Sequence, residues 1–171
     1  MTALAPHLAT LLPKLWRFAL RLTRHPQDAE DLVQRTCVRA LERAAQWQAD
    51  ASPLSWLYAI LHSIWLNELN ARRLRVTESL EVDGAHQHVE SGAADPPDSL
   101  HYRQVMVAVE ALPSAQRAVM LLVAVEGFSY REASDVLGVP LGTVMSRLSR
   151  ARLAIGERFA QRPSKENSNA A

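Results

Sequence analysis

Helical periodicity runs through nearly the whole of this chain and lapses once, between Val76 and Ser99. In that stretch Gly84, Gly92 and Pro96-Pro97 interrupt the backbone, acidic and His residues replace the apolar repeat, and no Lys or Arg occurs. Such a segment buries too little apolar surface to offset the entropy of ordering it, so it divides a chain instead of joining its core. The 171 residues allow that division, because domains of about 50 residues and upward fold on their own. The chain is therefore expected to be all-α: a helical domain over 1–75, an acidic flexible linker over 76–99, a second helical domain over 100–162 and a disordered polar tail over 163–171.

Charge follows the same division. The net charge of +1 hides ten basic and six acidic side chains in residues 1–75, none basic and six acidic in 76–101, and nine basic and six acidic in 102–171. Two basic lobes thus flank an acidic connector. With 48% hydrophobic and 22% charged residues, the chain is neither collagen-like nor wholly disordered. Its single cysteine, Cys37, can neither pair within the chain nor build a Cys cluster for zinc, which fits a reducing compartment. Lys14 and Arg17 interrupt the first apolar segment, unlike an export signal. The most apolar window, Leu54 to Leu69, is shorter than the ~20 residues of a membrane span and carries His62, Asn67 and Glu68. A cytoplasmic protein without membrane insertion of its own is expected.

The first lobe reads as three helices. Leu8, Leu11, Leu12, Leu15, Ala19 and Leu22 repeat on one face until His25-Pro26. A second apolar face joins Ala29, Leu32, Val33, Cys37, Ala40, Leu41 and Ala44, and Asp28, Glu30 and Asp31 suit the first turn of that helix. Ser52-Pro53 reads as a cap followed by proline at the first helical position, opening a third helix that ends in Arg72, Arg73 and Arg75. In the second lobe, Tyr102, Val105, Met106, Val109 and Leu112 share a face that stops at Pro113, and Ser114 is read as the cap of the next helix. Gly127 suits that helix's end, and Ser129-Tyr130-Arg131-Glu132 is a capping box that starts another.

Residues 129–155 then give a short helix, a turn at Gly138-Val139-Pro140 and a longer helix, the helix-turn-helix plan. On the longer helix Val144, Leu148, Ala151 and Ile155 fall in one arc, so the opposite arc offers Thr143, Met145, Ser146, Ser149 and Arg150. Those mostly short polar side chains let a helix approach base edges in a major groove. Arg150 can make two bonds to guanine, while Arg147 and Arg152 sit at flanking angles suited to phosphates.

The segments Ser129-Tyr130-Arg131-Glu132-Ala133-Ser134 and Gly142-Thr143-Val144-Met145-Ser146-Arg147-Leu148-Ser149-Arg150-Ala151-Arg152 closely resemble region four of the extracytoplasmic-function sigma factors of bacterial RNA polymerase. Asp28-Ala29-Glu30-Asp31-Leu32-Val33-Gln34 resembles that family's region two, and Trp56-Leu57-Tyr58 with Arg72-Arg73 resembles its promoter-melting part. The likeness spans about residues 8–160. It implies a subunit that binds core polymerase and promoter DNA under the control of an anti-sigma factor. Asp28, Asp31, Gln34 and Arg35 would then face the polymerase, Asn67, Asn70, Arg72 and Arg73 the single strand of the minus-ten element, and the last helix the duplex minus-thirty-five element. The loop from Gln48 to Ser52 would help to capture a flipped-out base. Arg35, Cys37, Ser63 and Met145 depart from residues common in the family; at Met145 many members carry Lys or Arg.

Trp56, Tyr58 and Trp65 precede the arginine cluster and offer rings for base stacking, although Trp56 is more readily placed in the core, where aromatic side chains at helical spacing usually bury their area. The acidic connector either threads a basic channel of the polymerase, folds back on the basic lobes or serves as a solvated spacer. A dimeric helix-turn-helix regulator that acts without polymerase is the competing function. Enzyme chemistry is not expected, because no Gly-rich phosphate loop, His-Glu metal pair or nucleophile elbow occurs. His86, His88 and His101 lack the further ligands of a metal site, so neither metal nor cofactor is expected.

Overall fold

The computed structural model describes residues 5–47, 52–78 and 100–160, and all regular structure among them is helical. Of the loop Gln48 to Ser52, expected to capture a base, residues 48–51 lie outside the described residues, as do the connector from 79 to 99 and the tail from 161.

Three helices form a first group: α1 (Ala5–Thr23), α2 (Pro26–Glu42) and α3 (Pro53–Glu78). α1 buries Leu8, Leu15, Phe18, Ala19 and Leu22, and breaks at Arg24, whose backbone takes the left-handed φ of 66°. Pro26 opens α2 at its first positions, where the missing N–H costs no helical bond. α2 buries Ala29, Leu32, Val33 and Ala40, together with Thr36, whose hydroxyl donates to the Leu32 carbonyl at 2.7 Å. Leu41, assigned to the apolar face, is instead 48% exposed, and Cys37 is only half-buried. Among the described residues α2 packs mainly on α1 and α3, so its buried stripe is narrower than its apolar one.

Ser52 caps α3, accepting from the Ser55 N–H at 3.4 Å. Leu57, Tyr58, Ile60, Leu61, His62, Ile64 and Trp65 are all buried. A run so continuous cannot belong to one face of a helix, and α3 indeed packs against α1 and α2 and against α6 of the second group. It continues to Glu78, three residues beyond the Arg75 boundary read from the sequence.

The second group comprises α4 (Leu100–Glu110), α5 (Ser114–Met120), α6 (Tyr130–Leu137) and α7 (Leu141–Ala160). Ser114 does not cap α5: it is the first helical residue, Pro113 holds the cap position, and no side-chain cap bond forms. A π turn over Leu121–Val125 extends α5, and the Glu126 N–H reaches the Leu121 carbonyl at 2.9 Å. Gly127, at φ 76°, then reverses the chain.

Despite the connector, the groups do not stand apart. One apolar cluster runs through both. Arg117 of α5 is buried and donates to the Leu22 carbonyl of α1 at 2.5 Å and to the Leu112 carbonyl at 2.9 Å. Burial, followed by repulsion from Arg24, pushes the Arg117 guanidinium down to about 10, still charged at neutral pH. The Tyr58 hydroxyl donates to Glu126 at 2.8 Å, and Arg21 donates to the Tyr102 hydroxyl at 3.2 Å. The Tyr58 ring lies between Phe18 and Phe128, with centroids 4.4 and 5.8 Å away. Burial and the neighbouring Glu126 carboxylate keep the Tyr58 phenol protonated.

Candidate nucleic-acid interface

The end of the chain is built as a helix-turn-helix by local chemistry. The Ser129 N–H donates to the Glu132 carboxylate at 2.7 Å, and the Glu132 N–H donates back to the Ser129 hydroxyl at 3.2 Å. Those bonds hold the Glu132 carboxyl below its usual range. α6 buries Ala133, Val136 and Leu137, then stops at Gly138, whose φ of 62° a side chain would disfavour. The Ser134 hydroxyl ties the turn to the Val139 carbonyl at 2.6 Å.

On α7, Val144, Leu148 and Ala151 are buried and Ile155 is half-buried against the core. Met145, Ser149, Arg150 and Arg152 are exposed, with Met145 at 52%. Thr143, Ser146 and Arg147 are half-buried, and the Ser146 hydroxyl donates to the Thr143 carbonyl at 3.1 Å. The outward arc is therefore narrower than the one read from the helical wheel. Arg147 lies close enough to His62 of α3 to act on its charge. Burial first, and Arg147 second, push the His62 imidazole down to about 4, so it is neutral at physiological pH. In the sequence His62 served only as an argument against a membrane span; the signal of its burial was a titratable side chain inside the apolar run Leu61-His62-Ser63-Ile64.

In the first group, residues assigned to two separate tasks meet. Arg35 bridges Asp31 and Glu68, both at 3.3 Å, while Arg72 bridges Asp28 at 3.0 Å and Glu68. Glu68, read in the sequence only as a charge interrupting an apolar window, is the shared carboxylate that joins α2 to α3. Burial works against the Arg72 charge, but the bonds to Asp28 and Glu68 outweigh it and raise the guanidinium's affinity for its proton. Gln34 donates to Glu30 at 3.4 Å. Asn67, Asn70 and Arg73 are exposed along the outer end of α3.

Two of the three rings offered for stacking are withdrawn into the core. Tyr58 is 0% and Trp65 5% exposed, and Trp56 is half-buried against the same cluster. Bases cannot reach the first two without repacking. α3 is packed by α1, α2 and α6, and the Tyr58 ring is taken up between Phe18 of α1 and Phe128. Arg72 instead lies over the Trp65 ring, 5.9 Å from its centroid.

Comparison with known proteins agrees with this plan. Residues 8–75 match the family model described as "Sigma-70 region 2" and residues 102–155 the one described as "Sigma-70, region 4". The chain is 32% identical over 141 residues to the ECF RNA polymerase sigma factor EcfG of Rhodopseudomonas palustris, covering 82% of this chain and 76% of that protein. It is 32% identical over 156 residues to the ECF sigma factor SigE of Mycolicibacterium smegmatis, covering 88% of this chain and 59% of that one. The sigma factor RpoE of Bartonella quintana, solved in complex with the anti-sigma factor NepR, superposes with a TM-score of 0.78 at 28% identity over 95% of this chain and 100% of its own. CnrH, solved with the cytosolic domain of CnrY, shares the fold with a TM-score of 0.62 at 23% identity, over 94% of this chain and 90% of its own.

Regions two and four in this order define a sigma-70 type transcription initiation factor. More narrowly, the chain belongs to the extracytoplasmic-function sigma factors of RNA polymerase. Among the described residues no helix is long and apolar enough to cross a membrane.

Proposed function

We propose that residues 8–75 dock this sigma factor onto core polymerase through the α2 face carrying Asp28, Asp31, Gln34 and Arg35, and that α7 reads a duplex minus-thirty-five element. The observation that carries the reading is the exposed arc of α7, where Met145, Ser149, Arg150 and Arg152 point outward from a helix held rigid by Val144, Leu148 and Ala151. Arg150 reads a base, Arg147 and Arg152 grip phosphates, and Thr143 and Ser146 line the helix start. Asn67, Asn70, Arg72 and Arg73 at the end of α3 hold the melted minus-ten strand. Arg72 must exchange its carboxylate partners for phosphate to do so.

The remaining parts follow physically. The 21 residues from 79 to 99, between α3 and α4, can stretch about 70 Å, so one chain can address two separated DNA elements. Tethering makes the pair of weak contacts strong only at the right spacing, which the polymerase fixes. The protein acts by binding, in the cytoplasm, and is not itself an enzyme. An anti-sigma factor, such as accompanies the B. quintana relative, controls it.

The test is reconstituted transcription with core polymerase. Arg150→Ala should reduce selective initiation about 5- to 150-fold, the equivalent of ~1–3 kcal/mol for a bidentate base contact. Unchanged promoter choice contradicts the assigned reading helix. Tight binding of palindromic DNA by the purified protein alone would favour a regulator that needs no polymerase.

A further inference from the structure

One side chain on the outward arc of α7 differs in chemistry from the rest. Ser146, Ser149 and Arg150 offer hydrogen-bonding groups, whereas Met145 offers a flexible apolar thioether. Its neighbours Val144 and Leu148 are 0% and 1% exposed, but Met145 is 52% exposed, so the core does not take it up. Gly142 and Ser149, one turn to either side on the same flank of the helix, are exposed as well and too short to cover it. Gly142 lies within the helix, and a methyl group placed there would meet nothing within 4 Å. The chain's own packing therefore does not call for glycine at that position, although glycine weakens a helix relative to alanine. What the missing side chain provides is room beside Met145 for a close approach from outside. Met145 also sits in the second turn from Leu141, at the end of a recognition helix that meets base edges.

We infer that Met145 is a specificity-determining residue, whose thioether packs against the 5-methyl group of a thymine in the duplex element that this sigma factor selects. The inference rests on the proposed reading of α7 as the duplex-binding helix and names the base chemistry which that helix demands. Base edges in the major groove present hydrogen-bond donors, acceptors and the thymine methyl, and of these the methyl is the apolar match for a thioether. Set against the N7 and O6 of guanine or the amino group of cytosine, Met145 would displace water without replacing its hydrogen bonds. A Lys or Arg at the same place would bond to guanine, so methionine exchanges one base preference for another of opposite chemistry. Spacing locates the thymine. Met145 and Arg150 leave the helix about 7.5 Å apart along its axis, which is about two base-pair steps of 3.4 Å. The thymine thus lies about two base pairs from the guanine that Arg150 holds.

The test uses holoenzyme reconstituted from core polymerase and the full-length protein. Promoters are selected from a library randomised through the minus-thirty-five element, and each thymine of the selected duplex is then replaced in turn by deoxyuridine. That replacement removes the methyl group and leaves every hydrogen-bonding group in place. One such replacement should weaken binding by the parent holoenzyme about fourfold, equal to ~0.8 kcal/mol for one buried methyl-sized group. Met145→Ala should bind the thymine and uracil duplexes alike, and Met145→Lys should select guanine at that position. Thermal melting followed by circular dichroism confirms that both variants, altered at an exposed site, are folded. A selected element without thymine overturns the inference, as does one in which no uracil replacement weakens binding. So does a thymine that stays selected and methyl-dependent in either variant, because another side chain then reads it. Failure of the α7 reading gives a different result: Arg150→Ala would leave promoter choice unchanged. If Arg150→Ala alters the selected base while neither Met145 variant alters any, α7 reads the duplex and Met145 does not.

Discussion

Acidification should loosen this molecule through one residue. His62 is 5% exposed on α3, and its imidazole titrates near 4 in the folded protein against 6.5 in an unfolded chain. The unfolded state therefore binds the extra proton between those values, and stability falls as pH drops from about 6.5 to about 4. At pH 7 the imidazole is neutral in both states and costs almost nothing. At pH 5 it is largely protonated when unfolded and largely neutral when folded, which removes about 2 kcal/mol, rising to roughly 3 below pH 4. A loss of 2 kcal/mol is a large share of the 5–15 kcal/mol typical of folded proteins. Urea unfolding at pH 7, 6 and 5 measures it, and His62→Gln isolates it from the other histidines by subtraction. The parent protein should lose about 2 kcal/mol more than the variant over that range. Equal losses in parent and variant would show that His62 is not buried neutral, and would refute the argument.

Two further outcomes follow from local bonds. Ser129→Ala removes the side-chain half of the α6 capping box and should cost about 1 kcal/mol, seen as a lower melting temperature, with Ser129→Gly costing less. Asp28→Ala breaks the pairing with Arg72, but both side chains are about one-third exposed. It should thus change stability by less than about 1 kcal/mol while weakening binding to core polymerase. A stability loss as large as the binding loss would place Asp28 in the framework instead of the docking face.

Much of the fold was legible because the apolar repeat and the chain breakers agree with each other. Ser52, Gly127, Gly138 and the Ser129-Glu132 box act through nearest neighbours, so their roles can be read locally. The arc of Val144, Leu148 and Ala151 was legible for the same reason. What escaped depends on contact between distant segments. Phe128 of the second group, with Phe18, turns Tyr58 from a candidate stacking ring into core, and no periodicity within α3 announces that cover. Glu68 looked like one acid among many until Arg35 and Arg72 converged on it across 33 and 4 residues of sequence. The opposite error occurred at Leu41, which is apolar in sequence and exposed in space because nothing described here packs over it.

The π turn at Leu121–Val125 holds one more residue per winding than its neighbours, and its consequence is a sensitivity to length over chemistry. Removing a single residue there would restore ordinary winding and rotate everything downstream by about 100°. Glu126 and Phe128 would swing off Tyr58, and α6 and α7 would present a different side to α3, with every side chain that now reaches across still present. Exchanging Val123 or Ala124 for another residue of similar size would leave that phase untouched. How the two ends of this sigma factor face one another is thus written partly as a count.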